Sequence, residues 1–178
     1  GALRDGGFRP QGTSAVVVGA GGAARAVAFG LLSARAETIT VLNRTPGRAE
    51  ALVSDLRPAP GQTPQSSIRA LPLTPETLIE AARAAQLLVN ATPSGMWPRV
   101  DRSIWPEEVP MPSQLTVFDL VYNPLETKLQ RQARASDAQV LDGLGMLVRQ
   151  GALAFQMWTG QSPPTAVMRR ACERSLRP

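Results

Sequence analysis

The sequence predicts an α/β, doubly wound fold: a parallel sheet of about six strands with helices on both faces. Three observations carry this reading. Short β-branched apolar runs alternate with helix-forming segments along the chain, with no internal repeat. The first runs are apolar at consecutive positions, as strands covered on both faces are. The run Ala15-Val-Val-Val-Gly-Ala-Gly-Gly-Ala-Ala-Arg25 passes from a strand through a glycine-rich turn straight into an alanine-rich helix.

The elements follow in order. Ala2 to Gly7 reads as a short helix stopped by the Gly6-Gly7 pair, and Phe8 to Gly12 as a connector. Ser14 to Val18 is the first strand and Gly22 to Arg35 the first long helix. Thr38 to Leu42 is a second β-branched strand. Pro46 suits the first turn of a helix reaching Leu56. Arg57 to Ser67 is rich in Pro, Gln, Gly and Ser and reads as a surface loop. Ile68 to Leu71 is a weak third strand, and Thr74-Pro75 opens a capped helix. Leu87 to Asn90 is the fourth strand. Thr92 to Ser113 has many prolines and no period, a loop long enough to suggest function. Thr116 to Leu120, the helix Glu126 to Ala135, and Val140-Leu141 complete the sheet. Met146 to Trp158 has helical apolar spacing, and Thr165 to Leu176 is an Arg-rich helix.

The glycine turn carries the first functional reading. Gly19 and Gly21 allow a tight turn and a close approach of pyrophosphate to backbone, and Ala24 takes the third small position of a G-x-G-x-x-[GA] fingerprint. The free N–H groups of the following helix would face the phosphates across Gly19, Ala20, Gly21, Gly22 and Ala23. The alternative is a βα turn that is merely tight. After the second strand the chain reads Asn43-Arg44-Thr45-Pro46-Gly47-Arg48. No carboxylate stands there to accept from a ribose 2′-hydroxyl, and two arginines do stand there. A guanidinium pairs with a 2′-phosphate and stacks on adenine, so the expected cofactor is NADP rather than NAD. The alternative is a basic, solvated helix start.

Composition narrows the rest. The 178 residues carry a net charge of +5, nearly all of the positive charge from arginine, with Lys128 the one lysine. The arginines are scattered, which argues against a nucleic-acid surface. There is no histidine, so a Ser-His-Asp triad, a Cys-His pair and a histidine metal site are excluded within this chain, and no metal is expected. Cys172 stands alone, which suggests a reducing cytoplasm. No apolar run approaches the roughly 20 residues that span a bilayer.

Five motifs occur together and in order: Gly19-Ala-Gly-Gly-Ala23, Asn43-Arg-Thr-Pro-Gly-Arg48, Asn90-Ala-Thr-Pro-Ser-Gly-Met96, Asp119-Leu-Val-Tyr-Asn-Pro-Leu-Glu-Thr127 and Asp142-Gly-Leu-Gly-Met-Leu-Val-Arg-Gln150. With them the chain, from about Gly6 to Leu176, resembles the C-terminal, NADP-binding Rossmann half of shikimate dehydrogenase. The resemblance implies reduction of 3-dehydroshikimate to shikimate with NADPH, in aromatic amino-acid biosynthesis. It implies that Gly19 to Ala23 hold the pyrophosphate and that Asn43, Arg44, Thr45 and Arg48 hold the 2′-phosphate. Thr92 and Ser94 would line the ribose or nicotinamide side, with Leu120, Gly143 and Met146 packed near the nicotinamide. Tyr122 and Gln150 would reach the substrate. Ligands of open α/β sheets lie beyond the carboxyl ends of strands, which suits Thr92, Tyr122 and Gly143. For Tyr122 a structural hydrogen bond is the alternative, and for Gln150 a solvated polar side chain.

The resemblance also divides the chain: residues 1–12 as interdomain linker helix and connector, 13–160 as the NADP-binding domain, and 161–178 as a helix packing toward an N-terminal domain. The family carries its catalytic Lys–Asp pair and most shikimate contacts in that N-terminal domain, and no catalytic residue is assigned in this chain. Lys128 reads as a solvated lysine at a helix start. Negligible turnover by this chain alone is expected, with an exposed apolar patch over Ala2 to Phe8, Val167 and Leu176. The rival readings are a quinate/shikimate dehydrogenase relative and a nonenzymatic NADP-binding module.

Overall fold

The structure, a computed structural model, describes residues 2–57 and 66–176. Most of the loop expected between Arg57 and Ser67 therefore lies outside the described residues, as do the extreme ends of the two terminal segments.

The strands are β1 (Ser14–Val18), β2 (Thr38–Asn43), β3 (Ser67–Pro72), β4 (Leu87–Asn90), β5 (Thr116–Asp119) and β6 (Gln139–Leu141). They form one six-stranded sheet in the order β3-β2-β1-β4-β5-β6. Every pairing is parallel. The helices are α1 (Ala2–Asp5), α2 (Gly22–Ser33), α3 (Pro46–Leu56), α4 (Pro75–Arg83), α5 (Lys128–Ala135), α6 (Gly143–Thr159) and α7 (Thr165–Ser175). The order reverses between β1 and β4, which places a crevice at their carboxyl ends.

Consecutive apolar residues in the strands feed two separate cores, because successive side chains point to opposite faces. Ala15 and Val17 of β1, Ile39 and Val41 of β2, and Leu87 and Val89 of β4 pack with α2 and α3 through Ala24, Ala28, Leu31, Ala49 and Leu52. Val16 and Val18, Leu42, Leu88 and Val117 pack on the other face with α4 and α5 through Leu78, Ala82, Leu129 and Ala133.

Three departures from the sequence reading have local causes. α6 begins three residues before Met146, because the Asp142 carboxylate caps it by accepting the Gly145 N–H at 3.0 Å. α5 begins at Lys128 rather than Glu126, because the buried Thr127 hydroxyl caps it from outside. The long proline-rich segment is not loop alone. Its second half seals the α4/α5 core with Trp105 and Met111, and the Trp105 indole N–H donates to the Val109 carbonyl at 2.7 Å.

The apolar patch expected over Ala2 to Phe8 is corrected. Phe8 is buried in the α2/α3 core, with Ala2 and Leu3 packed against it. The Phe8 N–H donates to the Leu3 carbonyl, which folds the connector back over α1. Of the last-helix residues expected in that patch, Val167 of α7 is exposed and Leu176 is half-buried; Leu153, Met157 and Trp158 on the last turns of α6 are exposed as well.

Candidate functional site

The glycine turn is shaped by two neighbouring strands. The Gly19 N–H donates to the Leu42 carbonyl at 2.8 Å at the end of β2. Its φ is +117°, and a β-carbon there would stand 2.8 Å from the Ala91 carbonyl oxygen, just past β4. Glycine is thus required by both conformation and space. Gly21 caps α2 with no side-chain hydrogen bond to the first turn. Gly21, Gly22 and Ala23 are exposed. The leading N–H groups of α2, which a helix cannot satisfy internally, lie at the carboxyl end of β1, an arrangement that can accept an anion.

At the β2 exit, the Asn43 amide donates to the Thr45 carbonyl at 2.9 Å. Thr45 caps α3 without a side-chain bond to it. Arg44, Thr45 and Arg48 are all exposed, and among the described residues no carboxylate pairs with either arginine. Arg25, by contrast, is paired with Asp55 at 2.7 Å and ties α2 to α3. The β2 exit therefore concentrates two uncommitted guanidiniums beside a helix N-terminus, a field suited to a dianion.

At the exits of β4 and β5 the structure shows a network that sequence reasoning missed. Asp119 is fully buried at the end of β5. Its Oδ1 accepts from Asn90 Nδ2 at 2.9 Å and from the Val121 N–H at 3.1 Å. Its Oδ2 accepts from Thr127 Oγ1 at 2.6 Å. Burial pushes the Asp119 carboxyl up from the ordinary aspartate range, while the Thr127, Val121 and Asn90 hydrogen bonds draw it back. Asn90 Oδ1 in turn accepts from the Thr92 hydroxyl at 2.7 Å and the Thr92 N–H at 3.1 Å, and Thr92 Oγ1 accepts the Ser94 N–H at 3.1 Å. The signal for these residues was present in the sequence: a polar Asn and Asp each close an otherwise apolar strand, where ligands of such sheets bind.

Gly143 at the start of α6 packs against the β5 exit; a β-carbon on it would stand 2.5 Å from the Leu120 carbonyl oxygen. Leu120 is buried and Met146 packs against the same core. Tyr122, on the segment after β5, is exposed. Gln150 is exposed on α6 one turn beyond Met146. The glycine turn, Thr92, Ser94, Leu120, Tyr122 and Gly143 thus gather at the carboxyl ends of β1, β4 and β5, with the β2 exit flanking them. Lys128 corrects one expectation. It is not a free solvated lysine, since it is ion-paired with Glu107 and only about a quarter exposed, 26%.

Among the described residues no helix is long and apolar enough to cross a membrane. The model of the shikimate/quinate 5-dehydrogenase family matches residues 6–99, and that of the shikimate 5′-dehydrogenase C-terminal domain matches residues 143–173. A shikimate dehydrogenase (NADP(+)) of Methanopyrus kandleri is 45% identical over 170 residues, which cover 96% of this chain and 57% of the relative. A solved shikimate 5-dehydrogenase of Thermus thermophilus, in complex with NADP(H) and shikimate, is 44% identical with a TM-score of 0.80, covering 98% of this chain and 59% of that one. One from Listeria monocytogenes, in complex with shikimate and NAD, is 28% identical with a TM-score of 0.85, covering 96% and 59%. The chain spans somewhat under two thirds of the length of each of these relatives.

Proposed function

This chain belongs to the shikimate/quinate dehydrogenase family, and from that premise we propose that it forms the NADP-binding portion of a shikimate dehydrogenase reducing 3-dehydroshikimate to shikimate. The observation that carries the coenzyme reading is the β2 exit: Arg44 and Arg48 stand exposed and without a carboxylate partner among the described residues, beside the start of α3. A carboxylate there would repel a 2′-phosphate; these guanidiniums attract one.

The remaining residues fit the coenzyme along the sheet. Gly19 to Ala23 and the α2 N-terminus take the pyrophosphate. Thr92 and Ser94 line the ribose or nicotinamide side, and Leu120, Gly143 and Met146 form an apolar wall for the nicotinamide. Bound in this way, the reduced coenzyme supplies the hydride. Tyr122 and Gln150 are placed to hydrogen-bond a polyhydroxylated ring substrate at the cleft mouth. The proton donor for the developing alkoxide is assigned to the N-terminal catalytic domain of the family. That domain would cover the exposed end of α6 and α7, and residues 1–12 would lead from it. We place the enzyme in the reducing cytoplasm, in aromatic amino-acid biosynthesis.

Calorimetric titration with NADP+ and NAD+ tests this reading. NADP+ binds more tightly by about tenfold or more if guanidinium–phosphate bonds are made; equal affinities overturn it. Shikimate and NADP+ added to this chain alone give negligible NADPH absorbance, and appreciable turnover would contradict the assignment of the proton donor.

A further inference from the structure

We propose that the buried Asp119 carboxylate is a positioning residue that holds the two nicotinamide-side loops of the cleft in one fixed arrangement. The inference rests on the coenzyme reading above. Three independent ties converge on this carboxylate. Asn90 bonds Oδ1 from the end of β4, and the same Asn90 side chain receives Thr92 and donates to the Ser94 carbonyl at 3.2 Å. The Val121 N–H bonds Oδ1 one residue before Tyr122. The Thr127 hydroxyl bonds Oδ2 while its oxygen accepts the Gln130 N–H and so starts α5. All three groups donate, so the arrangement is built for the ionised carboxylate.

One packing contact and one hydrogen bond reinforce the ties. Gly95, at φ +88°, lies beside the α5 cap, where a β-carbon would make ordinary van der Waals contact with Thr127 Cβ at 3.5 Å. The Trp97 N–H donates to the Asn123 carbonyl at 2.9 Å, directly after Tyr122. The Thr92–Ser94 loop and the Tyr122 segment therefore cannot move independently while Asp119 is bonded. None of these groups hydrogen-bonds to the glycine turn or belongs to the β2 exit. Ala91 and Thr92 meet Gly19 only by packing, so the adenosine end of the cleft depends on Asp119 less than the nicotinamide side does.

This separation supplies the test. Asp119→Asn, Thr127→Val and Thr127→Ser are titrated with NADP+ and with adenosine 2′,5′-bisphosphate, which occupies the adenosine end only, after thermal unfolding has shown each variant folded. Asp119→Asn and Thr127→Val should lose about tenfold in NADP+ affinity and keep that for the bisphosphate within about twofold; Thr127→Ser should recover most of the loss. An equal loss for both ligands would reduce Asp119 to a general stabiliser and overturn the proposal, as would unchanged NADP+ affinity. Thr127→Val, which keeps Asp119, decides the matter if Asp119→Asn does not fold. Failure of the unsubstituted chain to bind the bisphosphate would instead overturn the coenzyme reading, and this inference with it.

Discussion

Gly143 stands so close to Leu120 that a β-carbon on the glycine would lie 2.5 Å from the leucine carbonyl oxygen. The contact involves backbone, which cannot swing aside as a flexible side chain can. Gly143→Ala must therefore push the start of α6 away from the β5 exit, at a cost of about 1–3 kcal/mol. Urea unfolding of the variant measures this, and NADP+ affinity should fall with it. A variant as stable as the parent would show that α6 is free to shift.

Arg44 and Arg48 flank the start of α3 without acidic partners among the described residues. Arg44→Ala and Arg48→Ala should each weaken NADP+ binding by about 1.5–3 kcal/mol, the worth of a charge-assisted hydrogen bond. NAD+ affinity should barely change, since its ribose offers no phosphate there. Parallel losses for both coenzymes would remove the arginines from discrimination.

Gln130 is fully buried on α5, and neither atom of its amide finds a hydrogen-bond partner among the described residues. An unmade bond in the interior costs about 1–3 kcal/mol for the group. Gln130→Leu keeps similar bulk and removes the polar atoms, so it should raise the midpoint of thermal unfolding. A lower midpoint would mean that the amide has partners in solution.

Asp119 titrates higher in the folded chain than in the unfolded one because burial outweighs its hydrogen bonds. Between the two values the folded chain holds a proton that the unfolded chain has released. Its contribution therefore makes stability rise as pH falls through that window, and above the folded value the charged form costs stability in full. Asp119→Asn should remove this slope from a plot of unfolding free energy against pH, measured from neutral into the mildly acidic range. Identical slopes would place the proton elsewhere.

Much of this molecule was legible in the sequence, for definite physical reasons. Val16, Val17 and Leu88 sit in strands buried on both faces, so their apolar runs announce themselves without knowledge of any partner. The glycine turn and the β2 exit are local in sequence, and their chemistry follows from residue type. What was not legible depends on distant partners. Asn90 and Asp119 are 29 residues apart, and only the β4–β5 pairing turns two polar residues, each opening a separate motif and given no role there, into a buried bond. Phe8 looked like a surface residue beside two glycines until the connector folded back onto the core. Lys128 gained its partner Glu107 from a loop that shows no periodic pattern. Helix starts moved by a turn or less where a single capping side chain, Asp142 or Thr127, set the boundary.

The carbonyl that crowds Gly19 belongs to Ala91, far along the chain at the outlet of another strand. A nucleotide fingerprint grafted alone onto a foreign scaffold would thus arrive without the wall that moulds it. Engineers exchanging such loops between reductases would have to move both pieces together, or accept a turn that relaxes into the gap.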